Sequence, residues 1–320
     1  MRADTTARVV ALHLAVVAVL AALFFVLPDY HRGVMARVLV LAVFAMGYNL
    51  TFGYAGLLSL GHAMFFAAGL YGAGLTAYHL GWSVLPAFGF GIACGGALAL
   101  VVALLALRTT GVAFMIVTMM FSQVFYLTTL YYTTYTRGEE GLVLGPELRT
   151  IGLGGWTLEL WEPATRYFIA VALFSVVFLA TMALARAPFG RGLVAIRENE
   201  ERMRMLGYDV HRAKLSAMVL SGLSCAVAGA AYALLFGYVG SSFASIQYSI
   251  LPLLWVLLGG AATTLGPLLG TVFMFYAVDL TSGYTSAWLL VVGVALILLV
   301  LFFPKGVMGT VRRKWLPWLP

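Results

Sequence analysis

Side chains able to hydrogen-bond or exchange protons are sparse in the apolar stretches of this sequence, and those that occur lie close together. Asn49, Ser59 and His62 sit among Gly53, Gly56 and Gly61, and Ser122 with Gln123 interrupts a later apolar run. Glycines at this density let a helix break. A broken helix exposes unpaired amides, and a helix restarting near Ser59 turns the positive end of its dipole towards a carboxylate-bearing solute. That chemistry is recognition of an anion along a translocation path. The structural alternative is that Asn49, Ser59, Ser122 and Gln123 bond neighbouring helices and that His62 is a satisfied packing histidine. Ser59 and His62 could share a helix face as a hydrolase pair would, but no acid partner or GxSxG elbow accompanies them. No catalytic residue is assigned.

A second constellation is charged. The stretch RAPFGRGLVAIRENEERMRMLGYDVHRAKL, residues 186–215, alternates charge densely from Arg197 to Arg204 and then meets Gly207, a usual helix C-cap. The pattern predicts an amphipathic helix presenting Ile196, Met203 and Leu206 among charges. Such a helix suits a partner's groove, and equally a merely solvated face.

The elements that must position these residues follow from composition. The chain has 320 residues, 62% hydrophobic and 10% charged, with a mean hydropathy of +0.99; soluble domains are nearer a quarter charged. Apolar segments recur near 9–27, 34–52, 61–80, 83–107, 111–134, 165–185, 215–239, 247–261, 264–280 and 286–303. About 20 apolar residues cross a bilayer, so the expectation is an all-α polytopic membrane protein with about ten transmembrane helices. Gly259-Gly260 and Gly266-Pro267 make two late segments short or broken. The first segment is too long for a signal-peptide core and lacks a small-residue cleavage site, which favours an uncleaved span.

Two polar stretches lie outside the apolar runs. The loop 135–163 carries Glu139, Glu140, Glu147, Glu159 and Glu162 against Arg137 and Arg149, whereas 186–214 carries Arg186, Arg191, Arg197, Arg202, Arg204, Arg212 and Lys214. The tail adds Lys305, Arg312, Arg313 and Lys314. By the positive-inside rule, 135–163 is external, and 186–214 and the C-terminus are cytoplasmic. This distribution also explains the formal charge of +7 without nucleic acid. Cys94 and Cys225 lie in apolar runs without metal-ligand spacing.

Weaker signals remain. GYAG at 53–56 is echoed by GYVG at 237–240, as paired interruptions in two halves of a transporter would be. Asp279 is an acid within the later segments, expected at the external end of its span, and Tyr131, Tyr132 and Tyr135 read as an interfacial belt. With few other ionisable groups in the spans, an ion-coupled secondary transporter is disfavoured, though it and a channel stand as the alternative class.

Four blocks in order resemble the permease subunits of branched-chain amino acid ABC importers, of the LivM-like type. They are YNLTFGYAGLLSLGHAMFFAAGLYGA at 48–73, GVAFMIVTMMFSQ at 111–123, APFGRGLVAIRENEERMRMLGYDV at 187–210, and LLGGAATTLGPLLG at 257–270 with FFPKGVMG at 302–309. The resemblance implies one permease domain over 1–320 in the bacterial inner membrane, paired with a second homologous permease, two cytoplasmic ATPase subunits and a periplasmic solute-binding protein. It also implies that Arg197, Glu198, Glu201 and Gly207 belong to a coupling loop seated on the ATPase. No GxxxxGK[ST] phosphate loop occurs, so ATP and magnesium are expected on the partners and no cofactor on this chain. Family substrates include leucine, isoleucine and valine, while relatives carry urea, short amides and aromatic acids. AATTLG at 261–266 and SSFASIQYS at 241–249 depart from the commonest family wording, which favours a non-branched solute if they face the path.

Overall fold

The computed structural model describes residues 3–153, 156–285, 287, 290, 293–294, 297, 301 and 306–314. The long helices follow the apolar runs: α1 (Ala3–Val26), α2 (Asp29–Asn49), α3 (His62–Leu80), α4 (Val84–Ala106), α5 (Gly111–Tyr131), α7 (Pro163–Arg186), α10 (Val210–Phe236) and α12 (Gly266–Tyr284). Between them lie α6 (Thr133–Thr136), α8 (Pro188–Glu198), α9 (Glu200–Met205) and α11 (Ile246–Gly259), and α13 (Gly306–Lys314) is the last described helix. Among the described residues six helices, α1, α2 with the turn that extends it, α4, α5, α7 and α10, are long and apolar enough to cross a membrane. The protein is an all-α polytopic membrane protein. The shortness expected of 247–261 holds for α11, at 14 residues with Pro252 inside, whereas α12 runs to 19 residues. Most of the expected span 286–303 lies outside the described residues, as do Lys305 and part of the 302–309 block.

The middle of the bundle is α2. From Val38 to Met46 it is apolar on every face, and nearly every side chain there is fully buried. Helices α3 and α10 are buried almost as deeply, and small residues let them cross closely. A Cβ on Gly229 of α10 would collide with the Phe66 carbonyl of α3, and one on Gly69 with the Ala226 carbonyl. This is packing by backbone approach, the mode available where lipid removes the hydrophobic drive between helices. The outer helices show their apolar faces instead: Val112, Ile116, Met120, Val124 and Leu127 of α5 are all exposed.

The two polar stretches mark opposite ends. At the acidic end, β1 (Leu142–Val143) pairs antiparallel with β4 (Tyr238–Val239), and β2 (Thr150–Leu153) forms a hairpin with β3 (Trp156–Glu159). Tyr131, Tyr132 and Tyr135 are exposed there. Asp279 accepts from the Tyr30 hydroxyl at 2.7 Å beside the α1–α2 turn, which puts it at the same end. The basic end carries α8, α9 and the start of α10.

The single amphipathic helix read from the sequence is divided. Asn199 adopts an extended backbone (φ −159°, ψ 99°), and its carboxamide oxygen accepts from Arg202 N, so it ends α8 and caps α9. Ile196 and Met203, expected to face outward, are buried against Val210. Among the apolar residues of that segment it is Leu206, with Met205 and Tyr208, that is exposed.

Candidate functional site

The site grows from the end of α2. After Asn49 the backbone widens into a π-helical turn, Leu50–Tyr54, and then leaves helical geometry until α3 begins at His62. Such π turns are uncommon and gather at functional positions. Asn49 holds this break in place. Its Nδ2 donates to the Thr263 carbonyl and its Oδ1 accepts from Ala262 N, both at 2.9 Å, which fastens the α11–α12 loop to the end of α2. Gly53 lies against the same clamp, where a Cβ would strike Asn49 Oδ1 and Ala262 N.

The break is also bonded to α8. Arg197 Nη1 donates to the Gly53 carbonyl, and its aliphatic stem lies over Gly56, which has φ +71° and no room for a side chain. The sequence placed Gly53 and Gly56 on the path and Arg197 in the coupling loop. The structure brings the three together. Glu198 is exposed and pairs with Arg197 at 2.8 Å, and Glu201 is exposed to solvent. Gly207, at φ +83°, closes α9 through Gly207 N to Arg204 O and Tyr208 N to Met203 O. Glu200, which the sequence did not single out, pairs within α9 with Arg204 and ties α9 to α10 through Lys214, each at 2.6 Å. Burial raises the Glu200 carboxyl's affinity for its proton, but the two cations outweigh it and hold the carboxyl below its ordinary range.

Deeper in, hydroxyls surround the start of α3. His62 Nε2 lies 2.9 Å from both Thr51 Oγ1 and Ser221 Oγ, and Ser221 Oγ donates to the Gly47 carbonyl. His62 Nδ1 is buried without a partner. Amides around the restart are taken by protein oxygens: Gly61 N donates to Ser59 Oγ (3.2 Å), Leu60 N to Thr118 Oγ1 of α5 (3.3 Å) and Ala63 N, in the first turn of α3, to Ser249 Oγ of α11 (2.9 Å). In this conformation part of the dipole end expected to face a solute is occupied from within. Ser122, one turn beyond Thr118 on the buried face of α5, has an Oγ with no partner among the described residues, and Gln123 is half-buried beside it. Thr51, Thr118 and Ser221 were not singled out from the sequence, while Ser249 and Thr263 fall in the 241–249 and 261–266 stretches marked there. Their common signal is a small hydroxyl within an apolar helix or at a glycine-rich break.

GYAG and GYVG both close a helix, but at opposite ends. Gly56 meets Arg197 at the basic end, whereas Gly237 ends α10 in the left-handed conformation and leads into β4 at the acidic end. The pair is therefore inverted.

Comparison with known proteins follows this geometry. Residues 31–301 match the family described as "Branched-chain amino acid transport system / permease component". The chain is 27% identical over 297 residues, 86% of its length and 69% of the relative's, to the high-affinity branched-chain amino acid transport system permease protein LivM of Escherichia coli (strain K12). It is 27% identical over 154 residues, 43% of its length and 45% of the relative's, to a probable branched-chain amino acid transport permease protein LivM of Methanocaldococcus jannaschii. It is also 33% identical over 157 residues, 43% of its length and 44% of the relative's, to the autoinducer 2 import system permease protein LsrC of Klebsiella pneumoniae. No solved structure matches.

Proposed function

The chain belongs to the family of permease components of branched-chain amino acid transport systems, and from that premise we propose that it is one of two permease subunits of an ATP-driven importer. Its cargo is a branched-chain amino acid or a related small carboxylate or amide solute. A solute-binding protein delivers the cargo at the acidic, periplasmic end, and two ATPase subunits bearing ATP and magnesium close beneath the basic, cytoplasmic end, where the C-terminus also lies. The protein itself catalyses no reaction.

One contact carries this reading: Arg197 of α8 bonded to the Gly53 carbonyl. A force applied to α8 and α9 by a partner is handed directly to the break between α2 and α3. Asn49 passes it on to the α11–α12 loop. The outward-facing Met205, Leu206 and Tyr208, with Glu201 beside them, supply an apolar patch rimmed by charge of the kind that protein partners cover.

Two experiments test the reading. Affinity purification of the tagged chain from its native membrane is expected to recover a sister permease and ATPases; recovery of the chain alone, with transport independent of ATP, would return the secondary carrier or channel. Glu201→Arg, or Gly207 replaced by a bulky residue, is expected to separate ATP hydrolysis from uptake while the spans stay folded. Unchanged coupled transport in both variants would defeat the assignment.

A further inference from the structure

Charge is scarce in the spans, yet three guanidiniums gather at the end of α10, at the acidic end of the bundle. Arg37 lies on α2, where Met35, Ala36, Val38 and Leu39 are buried and Arg37 itself is exposed. Its Cζ is 5.4 Å from the centre of the Phe236 ring, at the end of α10. Arg166, in the first turn of α7, places its Cζ 5.5 Å from the same ring. Arg149 reaches that helix end from the turn before β2, its Nη1 donating to the Leu235 carbonyl at 3.4 Å. Arg166 feels repulsion from both Arg149 and Arg37.

Nothing among the described residues neutralises the cluster. None of the three forms an ion pair there, and the Nε atoms of Arg149 and Arg166 are buried without partners. Glu147 attracts Arg149 from a distance, the Trp161 carbonyl accepts from Arg166 Nη2 at 2.7 Å, and Asp279 is engaged by Tyr30. Phe236 offers both cations a ring face, and the carbonyl end of α10 contributes about half a negative charge. These offset part of three positive charges. A buried guanidinium N–H left unpaired costs free energy that an arriving anion recovers, and the planar fork of arginine matches a carboxylate.

We propose that this cluster is an oxyanion site in which Arg37 and Arg166 take the carboxylate of the solute to be imported, beside the Phe236 ring. The assignment rests on the importer reading and narrows it. Urea and simple amides leave the cluster charged, so the solutes admitted carry a carboxylate.

The full chain in nanodiscs of phosphatidylcholine gives the test, read as the shift in thermal unfolding with leucine, benzoate, leucinamide or urea. Leucine and benzoate should produce a saturable upward shift, leucinamide and urea none. Arg37→Gln and Arg166→Gln should each weaken the carboxylate response about tenfold or more; Arg37→Gln, which breaks no hydrogen bond among the described residues and relieves repulsion, should leave the unliganded midpoint unlowered, while Arg166→Gln also gives up its bond to the Trp161 carbonyl. Arg37→Lys, which keeps the charge and loses the fork, should fall between. Equal shifts with leucinamide, no shift with either carboxylate, or a shift that survives the double Gln variant would overturn the proposal. Stabilisation by phosphatidylglycerol with none by carboxylates would assign the cluster to a lipid phosphate and also overturn it. Whether ATPases are recovered with the chain is read separately, so the importer reading and this site can fail independently.

Discussion

Arg197→Ala is the most direct perturbation of the link between the basic-end helices and the broken helix. The substitution removes a charged donor from the Gly53 carbonyl and the stem that covers Gly56. A hydrogen bond from a charged group contributes about 1.5–3 kcal/mol. The Arg197 side chain is 32% exposed, so water screens part of this, and about 1–2 kcal/mol is the fair figure. If that contact transmits ATPase closure, its loss lowers the uptake gained per ATP by about 5- to 30-fold, since about 1.4 kcal/mol is a factor of ten. Total ATP hydrolysis should change far less, because the exposed Met205, Leu206 and Tyr208 remain.

The assay is reconstitution with the partner subunits in proteoliposomes, with solute uptake and ATP hydrolysis followed in the same sample. Glu198→Gln is the internal control. It removes an exposed ion partner at 2.8 Å, worth about 0–1 kcal/mol, and leaves the bond to Gly53 intact, so coupling should hold. Gly56→Leu attacks the same contact from the other side, forcing a side chain into left-handed backbone and into the Arg197 stem, and should reproduce the Arg197→Ala defect. Arg197→Ala with the uptake-to-hydrolysis ratio of the unaltered chain would refute the reasoning, and so would Glu198→Gln uncoupling as strongly.

Asn49→Ala removes both bonds to the α11–α12 loop and should lower stability by about 2–4 kcal/mol, at about 1–2 kcal/mol for each orphaned group; Asn49→Asp keeps an acceptor for Ala262 N but sets a carboxylate against the Thr263 carbonyl, so a thermal midpoint in detergent should fall for both. Gly229→Ala drives a methyl into the Phe66 carbonyl and should cost several kcal/mol, whereas Gly192→Ala, with open space in the interior of α8, should be neutral or gain about 0.5–1 kcal/mol; thermal unfolding of the two side by side checks the contrast. Glu200 has a folded carboxyl held below its ordinary value of 4.5, so its contribution is complete above that value and is lost as pH falls through the lowered one. Hydrogen exchange over α9 should accelerate in that acid window, and Lys214→Met should move the window upward.

The spans were legible because each is a local run of apolar residues, and Gly259-Gly260 with Gly266-Pro267 marked where α11 and α12 divide. The division at Asn199 was less visible, since a charge-rich stretch keeps helical propensity on both sides and the cap depends on one backbone conformation. Of the site residues, the polar and glycine pattern at 49–62 located the break. What it did not show was that Arg197 turns inward to Gly53, or that Thr118 and Ser249 would cap α3. Those partners lie 58 residues or more away in the chain, and no local period records them. Arg37 is separated from Arg149 and Arg166 by four helices, α3 to α6, and the three meet only when α2, α7 and the end of α10 pack.

The bonds around the start of α3 suit a segment that must be remade in each cycle. Leu60 N is satisfied by a hydroxyl from α5, Ala63 N by one from α11, and His62 by Thr51 and Ser221. Each is a neutral hydrogen bond worth about 1 kcal/mol net, which water or a solute oxygen replaces at little cost. An ion pair at the same depth would cost several kcal/mol to part. Charge lies instead at the two ends, in the ion pairs of Arg197 and Glu200 at the basic end and in the unneutralised guanidinium cluster at the acidic end. A break held by weak, exchangeable bonds between two charged ends can shift by rigid-body motion of α5 and α11 against α3, and the work for that shift can enter from either end. Under the proposed importer scheme, partner closure acts through Arg197 and the arriving carboxylate through Arg37 and Arg166, and the hydroxyls between them set a low threshold for the change.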